Sequence, residues 1–475
     1  MNALKLSSLL MALVAAGCST APPPPNANIS VPASYKEAAS LQGTWKTAQP
    51  AENKARGAWW QGFNDSALDQ LEQQAEATNP SLAVAASRVK AARTTLSASR
   101  ADYLPQVNLS AGVTRQKAAP AQQGLDSNTR LPTASVWNAA VGGSYEVDVF
   151  QRVANSVNAA QAKSQATEAT YRSVLLALQA DVAQAYFQLR MLDAETALLR
   201  STIKLLEETL RLIERRQAAG DVSELDVMRA RTGVSTTKAE LQKALGRRAL
   251  AEHVLALLLG QAPSAFAFAP QPLPVDMLVP NVPVGLPSAL LERRADVAAA
   301  QARMMEATAR LGQARSALFP ALVLTAQGGY ASYELKHLFA WSVRTWLASA
   351  VMSLPLFDGG RNKAFIANAE SLLDESVIDY RSVVLRAFGD VEDQLAALAA
   401  VRSESAALDE AVVAARRSVE LADMRYRAGE DSYLTLMDTQ RSQLFIERQA
   451  IQLRGNQALL TVGLIRALGG DFLGD

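Results

Sequence analysis

The sequence predicts a mainly α fold with a transmembrane β-barrel, internally duplicated, with four strands and two long helical hairpins per protomer. Three observations predict it: a repeat at constant offset, two long stretches free of proline, and strand-period alternation next to each of them. Tyr171-Arg172-Ser173-Val174 returns as Tyr380-Arg381-Ser382-Val383, an offset of 380 − 171 = 209. The same offset relates Asp181-Val182 to Asp390-Val391, Ala219-Gly220 to Ala428-Gly429, Gly246 to Gly455 and Gly260 to Gly469. Upstream it relates Trp137 to Trp346 and Arg152 to Arg361. A copy of this length exceeds the roughly 20 to 50 residues of a solenoid unit, so each copy is one large substructure and the pair sits about a pseudo-two-fold axis.

The helices come first. Proline is absent between Pro132 and Pro263 and again after Pro355, and Gln151 to Ala219 contains no glycine either. At 1.5 Å per residue that segment makes a helix on the order of 100 Å long. Val174, Leu178, Val182, Ala185, Leu189, Leu192, Thr196, Leu199, Ile203, Leu206, Leu210 and Ile213 step by four or three. Their mean period of about 3.5 is that of a left-handed coiled coil. Val383, Ala387, Val391, Leu398, Val401, Leu408, Val412 and Val419 continue the stripe more loosely in the second copy. Gly220 and Gly429 break the outgoing helices, and Ser223 and Ser432 are placed to cap the returning ones. Coiled-coil helices are therefore expected over 151–260 and 361–468, with tips at 220–223 and 429–432.

The strands follow from a period of two. Val107, Leu109, Ala111 and Val113 alternate with Gln106, Asn108, Ser110, Gly112 and Thr114; Trp137, Ala139, Val141, Tyr145 and Val147 alternate with polar residues further on. Leu322, Leu324 and Ala326, then Trp346, Ala348, Ala350, Met352 and Leu354, repeat the pattern. Since 137 − 105 = 32 and 346 − 320 = 26, counted from Pro105 and Pro320, the first connecting loop is six residues longer and belongs on an exposed rim. Two bilayer-spanning β-hairpins are expected, at 105–148 and 320–356, preceded by helices within 41–104 and 288–319. Four strands do not close a barrel, and an open edge in lipid leaves backbone groups unpaired. Oligomerisation is therefore required: a dimer supplies eight strands and a filled lumen, a trimer twelve and room for water.

Composition narrows the partners. Lys plus Arg number 47 against 46 for Asp plus Glu, so no global basic field recruits nucleic acid. Arg215-Arg216, Arg247-Arg248 and Arg293-Arg294 are expected as solvated helix positions. The single cysteine is Cys18; Lys5, the apolar run Leu6 to Ala16 and Ala15-Ala16-Gly17 precede it. The run is too short to span a bilayer. It resembles a bacterial lipoprotein signal, which implies a signal peptide at 1–17, lipid on Cys18, and, with Ser19 following, an outer-membrane address. Pro22 to Pro25 and the polar residues after them read as an acylated extended tether over 18–40.

Longer motifs carry a second resemblance. Trp59-Trp60 with Phe63 and Asp65, Asn79-Pro80-Ser81-Leu82, Leu286-Pro287-Ser288 through Leu291-Glu292-Arg293-Arg294-Ala295-Asp296, Leu356-Phe357-Asp358-Gly359-Gly360-Arg361, and Arg425-Tyr426-Arg427-Ala428-Gly429 through Tyr433-Leu434-Thr435-Leu436-Met437-Asp438 resemble the TolC-like outer-membrane factors. The resemblance is to the lipoprotein branch serving resistance-nodulation-division efflux pumps, and covers nearly the whole mature chain. It implies a homotrimeric tunnel in the Gram-negative outer membrane with a large periplasmic part. Such a duct conducts drugs or other small molecules passively and docks to a periplasmic adaptor and an inner-membrane pump. It also implies an equatorial domain drawing on the start of 41–104, the linker 261–287 and the tail 469–475. A lipoprotein periplasmic adaptor and a non-conducting envelope spacer are the alternatives.

By the same resemblance, the periplasmic gate maps onto Leu434 and Asp438, with Tyr426 and Arg427 before the tip and Asp226 holding neighbouring hairpins closed. TolC itself carries an arginine where this chain has Asp431. Gly220, Ser223, Gly429 and Ser432 mark the tips for adaptor docking, and Asp193, far from the tip, takes no part in the gate. The residues offer no catalytic site. His253 and His337 lack metal-ligand spacing, there is no phosphate loop or nucleophile elbow, and no cofactor is implied beyond the covalent lipid.

Overall fold

The computed structural model describes residues 20–23, 25, 31–32, 34–37, 57–274, 279–280, 282 and 293–470. The signal peptide, Cys18 and residues 471–475 lie outside the described residues. The elements run α1 Ser66–Thr78, α2 Pro80–Ala101, β1 Gln106–Gln116, β2 Ala134–Val147, α3 Arg152–Ala218 and α4 Glu224–Leu258. After the linker come α5 Ala295–Ser316, β3 Ala321–Ser332, β4 Arg344–Ser353, α6 Arg361–Ala428 and α7 Tyr433–Ala467. The duplication is visible in the helix starts: 361 − 152 = 209 for α6 and α3, and 433 − 224 = 209 for α7 and α4. Ahead of the strands, α5 and α2 differ by 295 − 80 = 215, which locates the six-residue difference in the loop between the paired strands.

The chain divides into two compact units. The first comprises Met1–Asn28, Arg88–Thr167 and Ala299–Arg381; the second comprises Ile29–Ser87, Glu168–Ala298 and Ser382–Asp475.

In the first unit the four strands form one antiparallel sheet in the order β1-β2-β3-β4. Its register aligns Leu109 with Val141, Val141 with Gly328, and Gly328 with Trp346. Directly paired residues share a face, so Val107, Leu109, Trp137, Val141, Leu322, Leu324 and Met352 fall on one apolar face. Asn108, Ser110, Asn138, Ser144, Thr325 and Gln327 fall on the other. Leu109 is 78% exposed and Trp346 82%, so this apolar face is uncovered within the chain. Strands β1 and β4 are edges with no further strand partner among the described residues. No helix among the described residues is long and apolar enough to cross a membrane.

Strand passes to helix at Gln151, whose φ of 60° is matched by Gly360 at 87°, again 360 − 151 = 209. The Asp148 carboxylate accepts the amides of Val153 and Ala154 at 2.9 and 2.7 Å, satisfying donors that a helix start leaves orphaned. Beside this junction Asn155 Nδ2 donates to Thr20 Oγ1 at 2.8 Å and Thr20 Oγ1 to the Phe150 carbonyl at 3.4 Å. Gly312 admits the neighbouring chain closely, since a Cβ there would sit 2.7 Å from that of Ala21.

The second unit holds the largest core. Trp59, Phe63, Leu68, Tyr186, Phe187, Leu189, Leu255, Val462 and Ile465 are buried together. Each large side chain of this kind contributes about 1.5–3 kcal/mol of burial. Asp65 caps α1 by accepting from Ala67 N at 2.9 Å and Leu68 N at 3.3 Å, and its other oxygen accepts from the Tyr186 hydroxyl. Asn79 links the first repeat's two ends: Oδ1 accepts from Leu82 N at 3.0 Å and Nδ2 donates to the Leu258 carbonyl at 2.9 Å. Along α3 the coiled-coil stripe is buried at Leu178, Val182, Ala185, Leu189, Leu192, Thr196, Leu199, Ile203 and Ile213.

The arginine pairs require correction. Arg248 is not a solvated position: Nε donates to Asp193 Oδ1 at 2.6 Å, and the other nitrogens reach Glu252 at 2.9 Å and the Phe268 carbonyl at 2.7 Å. Arg294 is likewise drawn in, pairing with Asp296 at 2.7 Å and Asp390 at 2.9 Å. In both, a nearly buried guanidinium spends its several donors on two carboxylates and a carbonyl, the carbonyl being that of Phe268 for Arg248 and of Ala467 for Arg294.

Candidate gate at the hairpin tips

Both tips are built by the same backbone device. Gly220 (φ 84°) and Gly429 (φ 77°) take the left-handed conformation that ends a helix without a Cβ penalty. Asp221 N then donates back to the Arg216 carbonyl, and Glu430 N to the Arg425 carbonyl, both at 2.9 Å. The returning helices start differently. At α4, Ser223 Oγ accepts from Asp226 N at 3.3 Å while the Asp226 carboxylate takes the Ser223 hydroxyl at 2.7 Å and its amide at 3.4 Å. At α7, Ser432 Oγ accepts from Thr435 N at 3.3 Å, and the carboxylate is supplied by Asp431. Asp431 accepts from the Thr435 hydroxyl and the Ser432 amide, both at 2.8 Å, and these bonds hold it below the usual carboxylate range.

Beneath the tips lies a small core of Ile213, Val227, Ala230, Ala422, Tyr426, Tyr433 and Leu436. Tyr426 and Tyr433 rings lie 5.9 Å apart, and the Arg216 guanidinium sits 5.2 Å from the centre of the Tyr426 ring. Burial, then Tyr426 and Asp226, push the Tyr433 hydroxyl up to about 12, so it stays neutral at physiological pH.

The expected gate residues separate into two groups. Leu434 and Asp438, one turn apart on α7, are exposed on a face turned away from this core, and Asp438 has no partner among the described residues. Arg427 is also exposed and pairs with Asp423 at 2.8 Å. Tyr426 is buried at 3% exposure, so within the chain it faces the tip core and not an open surface. Asp226 is committed to its own cap and to Arg229 at 3.6 Å. The exposed His253 and His337 lie on separate elements, and no metal-holding cluster occurs among the described residues.

Sequence reasoning missed a charged network higher on the hairpins. Glu195, 2% exposed, accepts from Arg247 at 2.9 and 3.0 Å and from Arg448 at 2.6 and 3.1 Å, and Arg448 also holds Glu240 at 2.8 Å. This joins α3 and α4 of the first repeat to α7 of the second. Asp193, placed away from the gate, is buried in the adjoining pair with Arg248 and accepts from Gln271 N at 2.9 Å. The one available signal was the position of carboxylates beside the buried stripe residues Leu192 and Thr196.

A sheet with one apolar and one polar face, joined to duplicated helical hairpins of this length, defines a channel-forming protein of the bacterial envelope. The family described as outer membrane efflux protein matches residues 71–261 and 286–470, and the chain belongs to it. It is 34% identical over 472 residues to the outer membrane protein OprJ of Pseudomonas aeruginosa, covering 98% of this chain and 96% of OprJ. It is 34% identical over 470 residues to the toluene efflux pump outer membrane protein TtgC of Pseudomonas putida, covering 98% and 95%. Among solved structures it resembles the outer-membrane channel OprN, with a TM-score of 0.86 and 27% identity over 95% of this chain and 99% of that one. The open-state MtrE channel of Neisseria gonorrhoeae gives 0.83 and 28% over 96% and 100%. The chain is an outer-membrane efflux channel protein, and members of this family are channels and not enzymes.

Proposed function

We propose that three copies of this chain close their sheets into a twelve-stranded barrel and their hairpins into a periplasmic tunnel. The trimer is a passive exit duct for drugs or other small organic molecules, energised by an inner-membrane pump and met at the tips by an adaptor. The observation that carries this reading is the sheet itself. Its apolar face is bare and both edges are open, and in lipid those edge groups cost several kcal/mol each unless another strand takes them. Twelve strands leave a lumen lined by the polar face; eight would be filled by side chains.

Lipid on Cys18 is part of the same proposal. Thr20, two residues on, is fixed beside Phe150 and Asn155, where strand β2 gives way to helix α3, which supports an anchor at the bilayer edge. At the other end, the exposed Leu434 and unpartnered Asp438 would form an apolar ring and a carboxylate ring when three tips converge. Gly220, Ser223, Gly429 and Ser432 form the exposed turns offered to the adaptor. Native mass spectrometry of the purified chain in detergent tests the assembly: three protomers are expected, and a stable monomer that conducts in a planar bilayer overturns it.

A further inference from the structure

Beside the tip core, helices α3, α4 and α7 enclose a cavity of about 680 Å³. That volume is in the range of pockets that hold small organic ligands. Met228, Leu444 and Phe445 give it apolar walls, and Met228 and Phe445 remain 43% and 62% exposed.

Two polar features of this cavity are unspent. Gln440, on its lining, is only 7% exposed, yet its side-chain oxygen has no hydrogen-bond partner, a state that is costly when nothing occupies the site. Arg441 also lines it and has no ion-pair partner among the described residues. The other two arginines there are engaged, Arg229 with Asp226 at 3.6 Å and Arg448 with Glu195 at 2.6 Å and Glu240 at 2.8 Å. Gly233 contributes open space, since a Cβ built there meets nothing within 4 Å.

We propose that this cavity is a binding site for a small amphiphilic anion, an aryl carboxylate or sulfonate bearing one hydrogen-bond donor. The apolar body packs on Met228, Leu444 and Phe445, the donor meets the Gln440 oxygen, and the anion pairs with Arg441. The apolar walls select an organic body over a simple inorganic ion, and the single free guanidinium sets its charge. The site is independent of the gate: it takes ligand whether or not Leu434 and Asp438 form rings.

N-acetyl-L-tryptophan carries all three groups and is the probe, titrated by calorimetry into the purified full-length protein in detergent. One molecule per protomer is expected. Arg441→Gln should weaken binding by about 10-fold or more, the usual weight of a charge-assisted pair. Gln440→Leu should weaken it by a few-fold. Gly233→Leu should abolish it by filling the open space, and because that space is empty the helix tolerates the larger side chain. Arg402→Gln, on α6 outside the cavity, should leave binding unchanged. Absence of binding to the parent overturns the proposal, including the case in which a second copy or a partner helix already fills the cavity. Equal binding by the parent and Gly233→Leu, or by the parent and Arg441→Gln, also overturns it.

Discussion

Glu195→Gln is the substitution whose consequence can be worked furthest. The carboxylate is 2% exposed and holds Arg247 of α4 and Arg448 of α7, so it joins the two repeats through one buried negative charge. Removing one partner of a buried ion pair costs about 3–5 kcal/mol when the remaining charge is stranded. Here the stranding is incomplete: the Arg247 and Arg448 side chains are 44% and 27% exposed, and Arg448 keeps Glu240 at 2.8 Å. The glutamine oxygen also continues to accept. The cost should therefore fall to about 2–3 kcal/mol, below the fully buried case. Helical circular dichroism against denaturant reads it as a lowered midpoint at unchanged slope. Arg448→Gln made on top of Glu195→Gln should cost less than it does alone, because the Glu195 charge is already gone and only the pair with Glu240 remains to be lost. A Glu195→Gln protein within about 0.5 kcal/mol of the parent, or fully additive effects in the double variant, would refute the assignment of Glu195 as the joint.

Further outcomes follow from other residues. Glu72 on α1 is fully buried with both oxygens unpartnered, and burial, then Glu76 and Asp69, push it up to about 10. The folded state therefore keeps a proton that the unfolded chain releases near its ordinary value of 4.5. Stability from this group is fully present below that value and is lost as pH rises towards about 10. Glu72→Gln should match the parent near pH 4.5 and exceed it at pH 8 in thermal melts, and a parallel pH profile sinks the idea. Gly429→Ala should cost about 1 kcal/mol or more from its φ of 77° alone, since a Cβ there meets nothing within 4 Å; an unchanged melt would remove strain as the reason for glycine. In bilayer recordings Leu434→Ala should raise conductance and Asp438→Ala should shift the reversal potential under a salt gradient; variants that behave alike count against the two-ring gate. Cys18→Ser should lose incorporation of radiolabelled palmitate, and equal labelling refutes the anchor.

What could be read in the sequence was what the backbone spells locally. Gly220 and Gly429 end helices because only a residue free of Cβ strain takes their φ, and Ser223 and Ser432 cap because their side chains reach an amide three residues on. The strands were legible because alternation has period two, so Leu109, Val141 and Trp346 fall on one face once the register is set. The charged interior was not legible. Asp193 and Arg248 lie 55 residues apart and Glu195 and Arg448 lie 253 apart, and neither separation leaves a periodic trace. Arg248 and Arg294 looked like surface positions because an arginine's composition does not tell whether its fork will meet a buried carboxylate. Tyr426, a gate residue by resemblance, turned out to pack under the tip, where Arg216 and Tyr433 hold its ring.

The duplication sharpens that distinction between backbone and charge. At the constant offset, Asp193 corresponds to Arg402, Arg190 to Ala399, Arg247 to Asn456, Arg248 to Gln457, and Ala239 to Arg448. Glu195 does have a counterpart in Glu404, but that residue is exposed. The two copies thus share their helix starts, turn glycines and capping serines but not their buried charges: Asp193 with Arg248 and Glu195 with Arg247 belong to the first copy, with Arg448 reaching in from the second, while Glu306 with Arg310 and Glu447 with Arg416 belong to the second. Repetition of a fold needs only the local rules of caps, turns and apolar period, and both copies obey them. A buried carboxylate needs a partner in three dimensions, and symmetry does not supply one, so each such pair had to be built at a particular place. The unshared residues are therefore where this chain differs from a mere doubled hairpin. Glu195 with Arg448, and Gln440 with Arg441, occur where the first copy's α3 and α4 face the second copy's α7, a contact that neither copy makes with itself.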